Sequence, residues 1–141
     1  MTITKADFSR ITVVLVDDNK FIRKLVGEIL RSFGVGRVLE AESADEALVV
    51  MRISKPDLVI SDWAMEPKDG LSVLAALREG RAGVDPKTPF ILLTSERRSE
   101  QVVKALAEGA DSYIAKPVSP SVLMTHLVKL IAAAREVAYI D

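Results

Sequence analysis

The chain of 141 residues contains no cysteine and a single histidine. Disulfides and thiolate metal sites are therefore impossible, and zinc, which is held by sulfur and imidazole nitrogen, finds poor ligands here. A chain without cysteine fits a reducing compartment. A dominant charge is also missing, because 19 basic side chains stand against 20 acidic ones for a formal net charge of −1. That balance argues against binding nucleic acid through a basic face. Long apolar runs are absent as well: the longest, residues 11–16 and 90–93, fall far short of the roughly 20 residues a membrane span needs. The first ten residues carry no apolar stretch of the kind found in signal peptides. A cytoplasmic protein without membrane insertion is expected. No repeat, linker or low-complexity tract appears, and at this length one domain over residues 1–141 is expected, with enough apolar surface to fold alone.

What is present is a set of short apolar runs without alternation, at residues 11–16, 58–60, 90–93 and 113–115, with a fifth at 38–41. A strand apolar at successive positions is buried on both faces, as in a parallel sheet covered by helices. Between the runs lie helical patterns. The first places Phe21, Leu25, Ile29 and Phe33 on one stripe and stops at Gly34. The second opens with Ser43 and Glu46 in capping-box spacing and stops before Pro56. A third covers residues 71–79, with Leu74 and Leu77 on the buried side and Arg78 at the border with water. A fourth spans 99–108, from Ser99, and ends at Gly109; the last opens at Ser119-Pro120 and turns Leu123, Leu127, Leu130, Ile131 and Ala134 inward. Strand and helix alternate five times, which predicts a doubly wound five-stranded parallel α/β sheet flanked by five helices.

In such a sheet the ligand site forms beyond the carboxyl ends of the strands. The polar residues there are Asp17-Asp18 after the first run, Asp62 after the third, Thr94-Ser95 after the fourth and Lys116-Pro117 after the fifth. Polar residues follow strands in any protein, because loops are wet. Three carboxylates, a hydroxyl and an ammonium at one edge form a chemically specific set. Two carboxylates about 4 Å apart repel by about 4 kcal/mol at an effective dielectric near 20, so a positive group must sit among them. Lys116 supplies one charge, and an all-oxygen cluster with open positions suits Mg²⁺. His126, the lone histidine, falls on the less apolar side of the last helix and is expected to be solvated.

Val-Asp-Asp at 16–18, Ser-Asp-Trp-x-Met at 61–65 with Asp69-Gly70, Leu-Thr-Ser at 93–95 and Tyr-Ile-Ala-Lys-Pro at 113–117 resemble, in this order, the receiver domain of two-component response regulators. The resemblance covers almost the whole chain and implies a flavodoxin-like sheet of order 2-1-3-4-5. It implies that Asp62 is the phosphoacceptor and that Mg²⁺ is bound by Asp18 and Asp62, by Asp17 through water, and by the backbone carbonyl of Ala64. Lys116 and the Thr94 hydroxyl would contact the phosphoryl group, and Thr94 and Tyr113 would form a switch that reshapes the surface of helix four, strand five and helix five. A cis Lys116–Pro117 bond is also implied. Phosphoryl transfer needs a nucleophile in line and cations on the equatorial oxygens, and this residue set supplies both.

The chain departs from the family pattern in two places. Proline usually follows the methionine directly, whereas here the order is Met65-Glu66-Pro67, which leaves the path of that loop open. Ser95 stands where alanine or glycine is usual, and Ala64 and Glu96 occupy the positions that flank the path of the hydrolytic water.

The expected function is a monomeric stand-alone response regulator, not an enzyme on other substrates. It takes a phosphoryl group from a histidine kinase and acts on a protein partner such as a flagellar motor switch, without nucleic acid. A phosphorelay or phosphate-sink receiver is the near alternative. A phosphohydrolase of the haloacid dehalogenase type wants a second aspartate at position 64, which is Ala64. Nucleotide-binding folds are disfavoured because Asp18-Asn19-Lys20 replaces a glycine-rich turn, and a pure scaffold would not need every charged residue of the set.

Overall fold

In the computed structural model, residues 5–6, 8–95, 100–135 and 139–140 are described. Strands β1 (Thr12–Val16), β2 (Arg37–Ala41), β3 (Leu58–Asp62), β4 (Phe90–Thr94) and β5 (Ser112–Ala115) alternate with helices α1 (Lys20–Ser32), α2 (Ala44–Ser54), α3 (Gly70–Arg78), α4 (Glu100–Ala107) and α5 (Pro120–Arg135). The strands form one parallel sheet in the order β2-β1-β3-β4-β5. Residues Lys5–Ala6 and Tyr139–Ile140 pair antiparallel outside it.

The three central strands, β1, β3 and β4, are buried at every position, and this follows from period-two alternation under two helical layers. On one face Val13, Leu15, Ile60, Ile91 and Leu93 pack with Val26 and Leu30 of α1 and Leu123, Leu127 and Ile131 of α5. On the other, Val14, Val16, Val59 and Leu92 pack with Met51 of α2, Leu74 and Leu77 of α3, and Ala105 of α4. Strand β2 lies at an edge and buries only Ala41 fully.

Helix boundaries follow local chemistry. The Asn19 side chain caps α1 by accepting from the N–H groups of Phe21 and Ile22. Ser43 caps α2 by accepting from Glu46 N–H, and α2 ends at Lys55 in the left-handed region, just before Pro56. Asp69 caps α3 through Ser72 N–H. Ser119 precedes Pro120 at the start of α5, where the N–H that proline lacks has no helical partner to lose. The Lys116–Pro117 bond is cis, as the family resemblance implied, and so is Glu66–Pro67 in the loop where the sequence departs from the family pattern.

Three expectations need correction. Phe21 and Leu25 do not face the core: they are 77% and 47% exposed, and the buried face of α1 is Val26 and Leu30 with Ile22, Ile29 and Phe33 beside them. A strict four-residue spacing overshoots a turn of 3.6 residues by about 40° per step, so a stripe that meets the sheet at Phe33 has rotated into water by Phe21. Arg78 is more than a border residue, because its guanidinium donates to the carbonyls of Pro86, Thr88 and Gly109 and to Asp111. The tie forms because α3 ends beside the loop before β4 and the loop between α4 and β5. His126 is half-buried rather than solvated, with Nδ1 2.8 Å from Ser112 Oγ. Its place follows from α5 packing against the edge strand β5, which brings Ser112 to it. Ser99, Glu96 and the side chain of Ala134 lie outside the described residues.

Candidate functional site

The sheet register assembles the site. Val16 pairs with Ser61, so the next residues of β1 and β3, Asp17 and Asp62, come together past the carboxyl ends of the strands. Asp62 lies opposite Leu93, and Thr94 opposite Ala115, which delivers Thr94 and Lys116 to the same edge. The neighbours β1 and β3 are where the connection direction reverses, the point at which doubly wound sheets bind ligands.

Asp17 and Asp62 are buried and Asp18 is exposed, and one carboxylate oxygen of each lies within 4.8 Å of the others. Asp17 Oδ1 accepts from Asn19 N–H at 2.8 Å, which turns its other oxygen to Lys116. Lys116 Nζ donates to Asp62 Oδ1 at 2.8 Å and to Asp17 Oδ2 at 3.3 Å. From below, Arg23 Nη1 donates to the carbonyl of Asp17 while its Nε binds Glu40 on β2. Gly70 packs so close that a Cβ there would stand 2.3 Å from the Asp62 carbonyl oxygen, so no other residue fits the N-terminus of α3.

The electrostatics show what the cluster lacks. Burial raises the pKa of Asp62, the carboxylates of Asp17 and Asp18 add to the rise, and Lys116 only partly offsets it. Burial also pulls the Lys116 ammonium down, but its hydrogen bond to Asp62 and the charges of Asp17 and Asp62 outweigh that and leave its pKa raised. Three carboxylates against one ammonium leave a formal charge of −2, which a divalent cation neutralises. The donors are all oxygen, and the exposed Asp18 leaves an open side for bound water, so the set fits Mg²⁺.

Beside Asp62 lies a cavity of about 150 Å³ bordered by Asp62, Thr94 and Lys116 together with Trp63, Ala64, Ser95 and Gln101. Thr94 is buried, whereas Ala64 and Ser95 are exposed. The indole N–H of Trp63 is buried without a partner among the described residues. Tyr113 is half-buried against the α2, α3 and α4 side of the core and also borders a groove with Val122 and His126. Of the site residues read from the sequence, Asp17, Asp18, Asp62, Ala64, Thr94 and Lys116 therefore meet at one edge, whereas Tyr113 sits inside β5 opposite Leu92 and lines a different groove. Arg23 and Gln101 escaped that reading because neither sits at a strand end. The clue for Gln101 is its place at the start of a helix that follows a site strand.

The response regulator receiver domain family matches residues 13–128. The chain belongs to this family. The receiver is 34% identical over 116 residues to the phosphate regulon transcriptional regulatory protein PhoB of Pseudomonas aeruginosa, covering 82% of this chain and 49% of that protein. It thus spans about half the length of that relative. It is 30% identical over 119 residues to the chemotaxis protein CheY-3 of Vibrio cholerae, covering 84% of this chain and 89% of the relative. Among solved structures it resembles the chemotaxis protein CheY4 of Vibrio cholerae, with a TM-score of 0.78, 30% identity and coverage of 85% of this chain and 98% of the other. Receivers are signalling domains whose own chemistry is phosphorylation on an aspartate, with histidine kinases as donors, and they bind Mg²⁺ through an acidic aspartate cluster of the kind present here. Among the described residues no helix is long and apolar enough to cross a membrane.

Proposed function

We propose that the receiver is a stand-alone switch that accepts a phosphoryl group on Asp62 in a Mg²⁺-dependent reaction. The observation that carries this reading is the position of Asp62, which is buried at a strand end, 2.8 Å from the Lys116 ammonium, in an acidic trio beside an open cavity. Asp62 attacks phosphorus through a carboxylate oxygen, forming the aspartyl O–P bond as the bond from phosphorus to the donor breaks. Asp18, Asp62 and the carbonyl of Ala64, with Asp17 through water, would hold Mg²⁺, which when bound would offset charge on the phosphoryl oxygens. Lys116 moves its hydrogen bond from the free carboxylate to a phosphoryl oxygen, and the Thr94 hydroxyl donates to another.

Phosphorylation then biases the position of Thr94, and the Tyr113 ring follows it, which alters the face made by α4, β5 and α5. The shift is as large as the difference in phosphoryl contacts between the two states. A histidine kinase is the proposed donor and a protein bound at that face the proposed target, of the kind a chemotaxis regulator controls at a flagellar motor.

The test is mass spectrometry after incubation with acetyl phosphate and Mg²⁺. One phosphoryl group should appear on Asp62, and none in Asp62→Asn or with a chelator. A label on another residue, or undiminished labelling of Asp62→Asn, overturns the assignment.

A further inference from the structure

Gln101 lines the cavity without a part in this chemistry. Residues 62–64, 94–95 and 116 reach the cavity from strand ends and the loops directly after them, whereas among the described residues Gln101 alone lines it from a helix, α4, with a half-buried side chain. Hydrolysis of an aspartyl phosphate requires water to approach phosphorus opposite the Asp62 oxygen that leaves, so the water must stand on the side of the cavity away from Asp62. A cavity of about 150 Å³ has room there for water, whose share of liquid volume is about 30 Å³.

The group on that side must accept a hydrogen bond from the water and so aim an oxygen lone pair at phosphorus. Lys116 and the indole of Trp63 only donate, ionised Asp62 carries the phosphoryl group, and the hydroxyls of Thr94 and its neighbour Ser95 reach the cavity from the strand-end side, where the Thr94 hydroxyl serves the phosphoryl oxygens. The Gln101 carboxamide has an acceptor oxygen and two N–H donors, and carries no charge to repel the phosphoryl oxygens. In GTP-hydrolysing proteins a glutamine carboxamide performs this task on the attacking water.

We propose that Gln101 orients the water that hydrolyses the phosphorylated Asp62 and thereby sets the lifetime of the signalling state. The Gln101 carbonyl oxygen accepts from one water hydrogen, the water oxygen bonds to phosphorus, and the bond from phosphorus to the Asp62 oxygen breaks. Its electron pair returns to the carboxylate, and the proton lost by water leaves with inorganic phosphate. The inference rests on Asp62 being the phosphoacceptor.

The test is the decay of radiolabelled phosphoryl groups on the full chain after the acetyl phosphate is removed, in wild type, Gln101→Met and Gln101→Ala. Met keeps the length of Gln without its hydrogen bonds. Both variants should decay about tenfold more slowly, the scale of one lost hydrogen bond in a transition state, with thermal midpoints close to wild type. If Gln101 only narrows the mouth of the cavity, Gln101→Ala decays faster and Gln101→Met decays like wild type, which overturns the proposal. Unchanged decay in both also overturns it and leaves the phosphoacceptor reading intact. A wild-type chain that takes no label on Asp62 refutes both readings.

Discussion

The ammonium of Lys116 stands 2.8 Å from Asp62 and 3.3 Å from Asp17, so one cation serves two buried carboxylates from different strands. Lys116 thus does in the resting protein part of what a divalent cation does in the charged site. The receiver keeps its acidic trio together before any phosphoryl group arrives, although burial still leaves the pKa of Asp62 raised.

Lys116→Met removes that cation. Breaking a buried ion pair costs about 3–5 kcal/mol, and because Lys116 keeps some contact with water the loss should fall near the lower end in metal-free buffer. The same change makes the cluster more negative, so Mg²⁺ should bind more than about tenfold tighter. Denaturant midpoints with and without Mg²⁺, and a titration followed by Trp63 fluorescence, check both. Weaker Mg²⁺ binding in the variant contradicts the charge accounting.

Gly70→Ala puts a methyl group 2.3 Å from the Asp62 carbonyl oxygen. Either α3 or the end of β3 must move, so the variant should lose about 1–3 kcal/mol or more. Phosphorylation should slow as well, because the displaced backbone carries Asp62, the proposed phosphoacceptor. An alanine variant with wild-type stability and labelling rate shows that this contact relaxes freely.

Arg78 binds three backbone carbonyls and Asp111, tying α3 to the loops before and after the strand and helix that follow it. Arg78→Ala should cost about 2–3 kcal/mol, since partly buried carbonyls lose their donors. Arg78→Lys should recover little, because a single ammonium does not span the acceptors a guanidinium fork reaches. Chemical denaturation of the three proteins decides this, and full recovery by Lys rejects the role of the fork.

His126 ties stability to pH. Burial lowers its pKa from 6.5 and nearby Lys129 lowers it further, while Asp111 and Ser112 share the same groove. The unfolded chain therefore binds the proton more readily than the folded one. The folded state should lose stability as pH falls through 6.5 towards the folded-state value, and that share of stability is fully present above 6.5. His126→Gln should flatten the denaturation midpoint over this range. An equal slope in the variant moves the effect to other groups.

The number of strands, the cap residue Ser43 and the chemical identity of the site were carried by local patterns, while the sheet order came with the family resemblance and the caps Asn19 and Asp69 emerged only in the structure. Unbroken apolar runs report burial on both faces, and polar residues directly after such runs have only one edge of a parallel sheet to occupy. Asp17, Asp62, Thr94 and Lys116 were therefore visible as neighbours from their positions in the chain alone. The tertiary structure decided what depends on distances between elements. It selected which of two overlapping stripes of α1 faces the sheet and left Phe21 in water; it turned Arg78 into a tie and drew His126 onto Ser112. It also brought Gln101 of α4 to the cavity beside Asp62. Helical and strand periods specify which residues share a face, but only the packing of one element on another determines what that face meets.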